Sequence, residues 1–119
     1  AVNKQRGEGM KTFNEWMNEG RKWEGFRFFN RRIVCADGYS ISIQANNSAY
    51  CQPREDIEDV AGYDSFELGF PSEVDKSILA YAEDESQPVD TVYPYVPREL
   101  VERLIAGHGG IREFAAKAA

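Results

Sequence analysis

Residues 32–45 confine the fold of this chain more tightly than any other stretch. Arg32-Ile33-Val34-Cys35-Ala36 runs into Asp37-Gly38, and Tyr39-Ser40-Ile41-Ser42-Ile43-Gln44-Ala45 follows with apolar and polar residues in alternation. A period of two places Tyr39, Ile41, Ile43 and Ala45 on one face of a strand. Asp-Gly suits a two-residue turn, which asks for positive φ at both central positions. The stretch therefore predicts antiparallel strands over residues 26–36 and 39–45, with those four side chains in the core.

The flanking segments extend this nucleus. Thr12-Phe13-Asn14-Glu15 reads as a capping box that opens a short helix over 13–19, closed by Gly20 in the left-handed region. Residues 46–62 read as a loop with room for a turn of helix over 54–60. Phe66, Leu68 and Phe70 alternate with Glu67 and Gly69, which predicts a third strand over 64–70. Ser72 is placed to cap a helix carrying Val74, Ile78, Leu79 and Ala82 on its apolar side. Residues 91–96 predict an edge strand, since Pro94 cannot donate to a ladder. Pro97 then opens a helix striped by Leu100, Val101, Leu104 and Ile105, and Gly107 ends it. Residues 111–119 are expected to form a frayed helical tail.

The expected class is α+β: a single domain with a mostly antiparallel sheet of three to four strands packed against helices on one face. Residues 1–11 are expected to be a flexible lead-in, with Met10 a candidate native start, 12–111 the domain and 112–119 the tail. Seven Phe, six Tyr and two Trp supply enough apolar area for a core without disulfides. No apolar run is long enough for a membrane helix, and residues 1–9 lack the apolar region of a secretory signal, so a cytoplasmic protein is expected. In that compartment Cys35 and Cys51 are read as free thiols, a disulfide between them being the alternative. The sequon at Asn46-Asn47-Ser48 is then a chance match.

Charge is distributed very unevenly. Residues 1–54 carry nine Lys/Arg against five Asp/Glu, whereas residues 55–90 carry twelve Asp/Glu against Lys76 alone. Such a segment repels nucleic acid and attracts basic partners. Glu55, Asp56, Glu58, Asp59, Asp64, Glu83, Asp84 and Glu85 are the candidate contact residues, suited to a host protein with a basic nucleic-acid-binding groove. A solvated surface is the simpler alternative. Tyr93 and Tyr95, in Tyr93-Pro94-Tyr95-Val96-Pro97, form a second candidate surface, where strand addition can also recruit a second copy. Arg21, Lys22, Arg27, Arg31 and Arg32 interleave with Trp23, Phe26, Phe28 and Phe29, a mixture able to bind single strands. Here the aromatics are assigned to the core and the arginines to its rim, and the overall acidity argues against direct nucleic-acid binding.

Catalytic signatures are missing. There is no GxxxxGK[ST] and no GxGxxG after a strand, and one His with two Cys fits no zinc spacing, so neither cofactor nor metal is expected. His108 sits past a helix end, where a cation can settle on free carbonyls. Its functional alternative is to serve as base for a Cys35 or Cys51 thiolate, which would make the chain a small cysteine-dependent enzyme. A non-enzymatic protein is the preferred reading.

Three stretches read together carry a resemblance: the 35–45 hairpin, Tyr50-Cys51-Gln52-Pro53-Arg54, and Glu67-Leu68-Gly69-Phe70-Pro71-Ser72. With Tyr93 to Pro97 and His108-Gly109-Gly110-Ile111, they resemble a family of small uncharacterised phage- and prophage-encoded proteins over roughly residues 30–111. The resemblance implies a phage accessory protein that binds or inhibits a host protein, such as a nucleic-acid-handling or defence enzyme, in the host cytoplasm. A self-assembling module built on the 91–96 edge is the structural alternative.

Overall fold

The computed structural model describes residues 11–116. Most of the expected lead-in, 1–10, and the last tail residues, 117–119, lie outside the described residues. The capping box forms as read: Glu15 N–H donates to Thr12 Oγ1 at 3.1 Å, and Thr12 N–H to Glu15 Oε1 at 2.8 Å. It opens α1 (Phe13–Glu19), whose Met17 is buried. Gly20 follows at φ −90°, so it does not close the helix in the left-handed region. What it supplies is space, because an added Cβ would stand 2.5 Å from the Phe114 ring.

The expected single sheet of three to four strands is replaced by two sheets. Strands β1 (Arg21–Glu24) and β2 (Arg27–Asn30) form a separate antiparallel ribbon, turned at Gly25 with φ +73°. Strands β3 (Ile33–Cys35), β4 (Ser40–Gln44), β5 (Ser65–Gly69), β6 (Val92–Pro97) and β7 (Ile111–Phe114) form an antiparallel sheet in the order β6-β5-β4-β3-β7. Helix α2 (Arg98–Gly107) connects β6 to β7. The strand expected over 26–36 is thus broken at Arg31-Arg32, where Arg31 N–H turns to the Gly20 carbonyl at 2.9 Å.

The hairpin turn differs from its expected form. Its loop has three residues, 36–38: Cys35 N–H pairs with the Tyr39 carbonyl at 2.7 Å, and Gly38 N–H closes back on the Cys35 carbonyl at 2.9 Å. Only Gly38 takes positive φ, at +95°, as in hairpins built from a type I turn and one left-handed residue. The facing is as read, with Tyr39, Ile41, Ile43 and Ala45 all buried. They share one core with Phe66, Leu68, Tyr93 and Val96, together with Val101, Leu104 and Ile105 of α2.

No α-helix forms over 72–82 or 54–60. Ser72 pairs instead with Ser40, its N–H donating to the Ser40 carbonyl at 2.8 Å and its Oγ accepting from Ser40 N–H at 2.9 Å. Asp75 takes both the N–H and the Oγ–H of Ser77, which closes a turn instead of a helix. Only Leu79–Tyr81 winds, as one 3₁₀ turn, with Ile78 fully buried before it. In the earlier loop the winding is a 3₁₀ turn at Val60–Gly62, capped by Asp59. At the other end, residues 111–114 pair with β3 and are not helical.

Candidate interaction surface

The β5–β6 pairing contains a bulge. Phe66 faces Val96 and Leu68 faces Tyr93, so Pro94 and Tyr95 together oppose the single Glu67. Bulges of this kind re-aim a side chain. Tyr95 takes φ +53° and stands 44% exposed, with its N–H donating to the Tyr50 carbonyl at 3.0 Å. The two tyrosine rings lie 5.9 Å apart, and the Arg54 guanidinium sits 5.1 Å over the Tyr50 ring. Tyr50 is itself exposed, and its N–H is held by Glu67 Oε1 at 2.8 Å.

Phe70, at the end of β5, shares this backbone state with φ +51°. Alternation would place it in the core beside Phe66 and Leu68, yet it is 49% exposed. Among the described residues, Phe70 and Tyr95 are the two non-glycine residues at positive φ. For a bulky residue that conformation costs roughly 1–2 kcal/mol. Both residues bearing the cost present an aromatic ring to solvent.

The acidic residues do not form one patch. Asp64 lies at the end of β6, its carbonyl accepting from Arg98 N–H at 2.9 Å, while Glu83 N–H donates to the Val92 carbonyl at the start of that strand at 2.9 Å. These two ends of β6 oppose Gly69 and Ser65, four residue steps along β5, which keeps them about 13 Å apart. Several of the acids are occupied locally. Asp56 Oδ1 accepts from Phe28 N–H at 3.0 Å, and Asp84 Oδ1 from Ser86 N–H at 3.0 Å. Asp59 accepts from Ala61 N–H and Asn18 Nδ2, which hold its carboxyl below the usual range. Glu55, Glu58 and Glu85 are exposed, and the carbonyls of Glu55 and Glu58 accept from Tyr63 Oη and Arg21 Nε. Tyr93 is not a surface residue at all. It is fully buried, and its hydroxyl donates to the Pro88 carbonyl at 2.7 Å.

The β6 edge offers few groups for strand addition. Pro94 and Pro97 have no N–H, the Tyr95 N–H is taken by Tyr50, and the Val92 carbonyl by Glu83. The aromatics of the first ribbon, assigned to the core on sequence grounds, are largely outside it. Trp23, Phe26 and Phe29 are exposed, because a two-stranded ribbon has no second layer over its far face.

His108 is held differently from either sequence reading. Its Nδ1 meets Asp37 Oδ2 at 2.6 Å and its Nε2 meets Asp75 Oδ2 at 2.8 Å, with the ring stacked 3.8 Å from the Tyr39 ring. Both ring nitrogens are therefore committed to carboxylates, which leaves neither for a thiol. Burial opposes the charged ring, but the bonds and charges of Asp37 and Asp75 outweigh it and raise its pKa. Cys35 and Cys51 are buried free thiols. Burial, and secondarily the Asp37 charge, push Cys35 up to about 11, and burial also raises Cys51. A thiol so placed is a poor nucleophile at neutral pH.

Among the described residues, no group of three or more His, Cys, Asp and Glu is placed to hold a metal ion, and no helix is long and apolar enough to cross a membrane. Comparison of the chain with known protein families, with curated proteins and with solved structures returned no match. Tyr50, Arg54 and Phe70 were not among the contact residues read from sequence. Tyr50 and Arg54 appeared there only within the Tyr50-Cys51-Gln52-Pro53-Arg54 stretch, and Phe70 only as an alternating strand residue, neither of which reveals that Tyr50 meets Tyr95 or that Phe70 turns outward.

Proposed function

We propose that this chain is a phage-encoded accessory protein that acts in the host cytoplasm by binding a host protein, without chemistry of its own. The left-handed backbone at Tyr95 carries the reading. A fold retains such a conformation at a bulky residue only where the surroundings enforce it, and these residues cluster at functional sites. Tyr95 and Tyr50 form the centre of the contact, since tyrosine buries much area at small entropic cost and is favoured in interface cores. Asp64 at one end of β6 and Glu83, Asp84 and Glu85 at the other flank that centre with negative charge. The partner is accordingly a host protein with a cationic rim around an apolar recess, as found on enzymes that handle nucleic acid.

The test is affinity capture from bacterial lysate with the tagged chain, its Tyr95→Gly variant, and a variant in which Glu83, Asp84 and Glu85 are lysines. A protein retained by the parent chain, lost with Tyr95→Gly and weakened with the charge reversal is expected. Equal retention by all three would remove this surface from consideration.

A further inference from the structure

We infer that the outer edge of β1 is the contact through which two copies of this chain join, as antiparallel neighbours centred on Trp23. On β2 the backbone groups that point away from β1 belong to Phe28 and Asn30. Side chains take all four of them: Asp56 and Asn46 at Phe28, and Gln44 twice at Asn30. Alternation gives Arg21 and Trp23 the same outward place on β1. Their N–H and C=O groups have no partner there among the described residues, and no strand lies beyond β1. Unlike β6, this edge carries neither proline nor bulge, so it can accept a further strand.

The strand is its own complement. A two-fold axis perpendicular to the sheet keeps every residue on its face, so only residues of one face can stand opposite each other. With Trp23 opposite the second copy's Trp23, the two exchange both backbone hydrogen bonds. Lys22 then stands opposite the second copy's Glu24, and Glu24 opposite its Lys22. These are non-hydrogen-bonded pairs, in which side chains approach most closely and opposite charges stabilise. Among the described residues neither Lys22 nor Glu24 forms an ion pair within its own chain. The register centred on Lys22 would set that lysine against itself, so charge selects the Trp23 register. On the other face Trp23, 51% exposed and edge-on to Phe28 at 5.1 Å, meets its counterpart in a row of four aromatic rings. A two-stranded ribbon gains little stability alone, and the pairing makes it four strands. A foreign strand could use the same backbone groups, but the reciprocal match of Lys22 with Glu24 is a property of this chain. The contact does not rest on the Tyr95 surface and fails or stands independently of it.

Sedimentation equilibrium of the full chain across a dilution series tests the contact. A monomer–dimer equilibrium is expected, with the Trp23 amide gaining hydrogen-exchange protection as concentration rises. Lys22→Glu and Glu24→Lys each set like charges across both pairs and should weaken the dimer about tenfold. The double variant K22E/E24K should restore it. Mixing the two single variants should restore it as well, because each complements the other. Both side chains are exposed, and thermal melts establish that the variants fold. A monomer mass at every concentration, a dimer indifferent to the single variants, or failure of either rescue would overturn the proposal. So would slow exchange of the Trp23 amide at every dilution, which would mean that the chain covers this edge itself. A dimer lost in Tyr95→Gly but kept in Lys22→Glu would also overturn it and assign self-association to the β6 face.

Discussion

Asn30 and Gln44 each complete the hydrogen bonding of the other: Asn30 N–H donates to Gln44 Oε1 at 2.9 Å, and Gln44 Nε2 donates to the Asn30 carbonyl at 2.7 Å. Asn30 Nδ2 also reaches the Ile43 carbonyl at 2.9 Å. A side-chain amide can imitate a peptide group, and here it continues the ladder from β4 to β2. Asn46 repeats the device on the Phe28 carbonyl at 2.9 Å, and Asp56 takes the Phe28 N–H. The two sheets are therefore stitched by side chains, which leaves the ribbon attached but uncovered.

Gln44→Leu should consequently destabilise the chain by about 2–4 kcal/mol, since it strands two backbone groups of buried Asn30. Gln44→Glu retains the acceptor but turns a carboxylate oxygen toward the Asn30 carbonyl in place of the donor, so a cost of similar size is expected. Urea melts give the two values, and hydrogen exchange should quicken at residues 23–29 before it does in β4 and β5. Equal stability of parent and Gln44→Leu would show that the stitch contributes nothing.

The left-handed aromatics make the opposite prediction. Phe70→Gly should raise stability by about 0.5–1 kcal/mol, the relieved backbone strain outweighing the added chain entropy of glycine. Tyr95→Gly should fall close to neutral, because it also gives up the ring contact with Tyr50. Thermal melts decide the matter. A loss above about 2 kcal/mol at either site would mean the ring is needed for folding, and the functional reading of its strain would go.

The sequence disclosed the elements whose reasons are local. Alternation put Tyr39, Ile41, Ile43 and Ala45 in the core, the capping box opened α1, and the Leu100, Val101, Leu104, Ile105 stripe formed α2. What escaped depends on partners far along the chain. Ser72 met Ser40 instead of capping a helix, and Asp75 met His108, 33 residues away. The β1–β2 ribbon has large aromatics on both faces and so lacks a period-two apolar signal. Of the candidate site, Tyr95 was visible as an interface type of residue. Its exposure follows from a bulge opposite Glu67 that no local pattern announces, and Tyr93, two residues earlier, points into the core.

Both thiols should resist alkylation in the native state. Cys35 and Cys51 are buried, and their raised pKa values leave little thiolate at pH 8. Iodoacetamide followed by mass spectrometry should label neither on the timescale that labels a free peptide thiol, and both once guanidinium unfolds the chain. Rapid native labelling of either would revive a cysteine nucleophile and a catalytic reading.

His108 should make stability depend on pH in a window set by three groups. Asp37, at the turn before β4, and Asp75, before the Leu79–Tyr81 turn, both contact the ring, and Tyr39 lies beneath it. The His108 pKa is raised on folding, so its contribution is fully present below the unfolded value of about 6.5 and is lost as pH rises through the folded value. Asp37 is lowered chiefly by the Tyr39 N–H and then by His108. Asp75 is lowered because its bonds to Ser77 and His108 outweigh the opposing cost of burial. Their contribution is present above about pH 4 and lost as pH falls through their folded values. The clip thus contributes most between about pH 4 and 6.5. Melting temperature measured from pH 4 to pH 9 should decline on the alkaline side in the parent chain, and His108→Asn should flatten that decline. NMR titration of the ring, with a midpoint above that of a free histidine, checks the same cause directly. A midpoint at or below the free value would mean that burial, not the two carboxylates, governs His108.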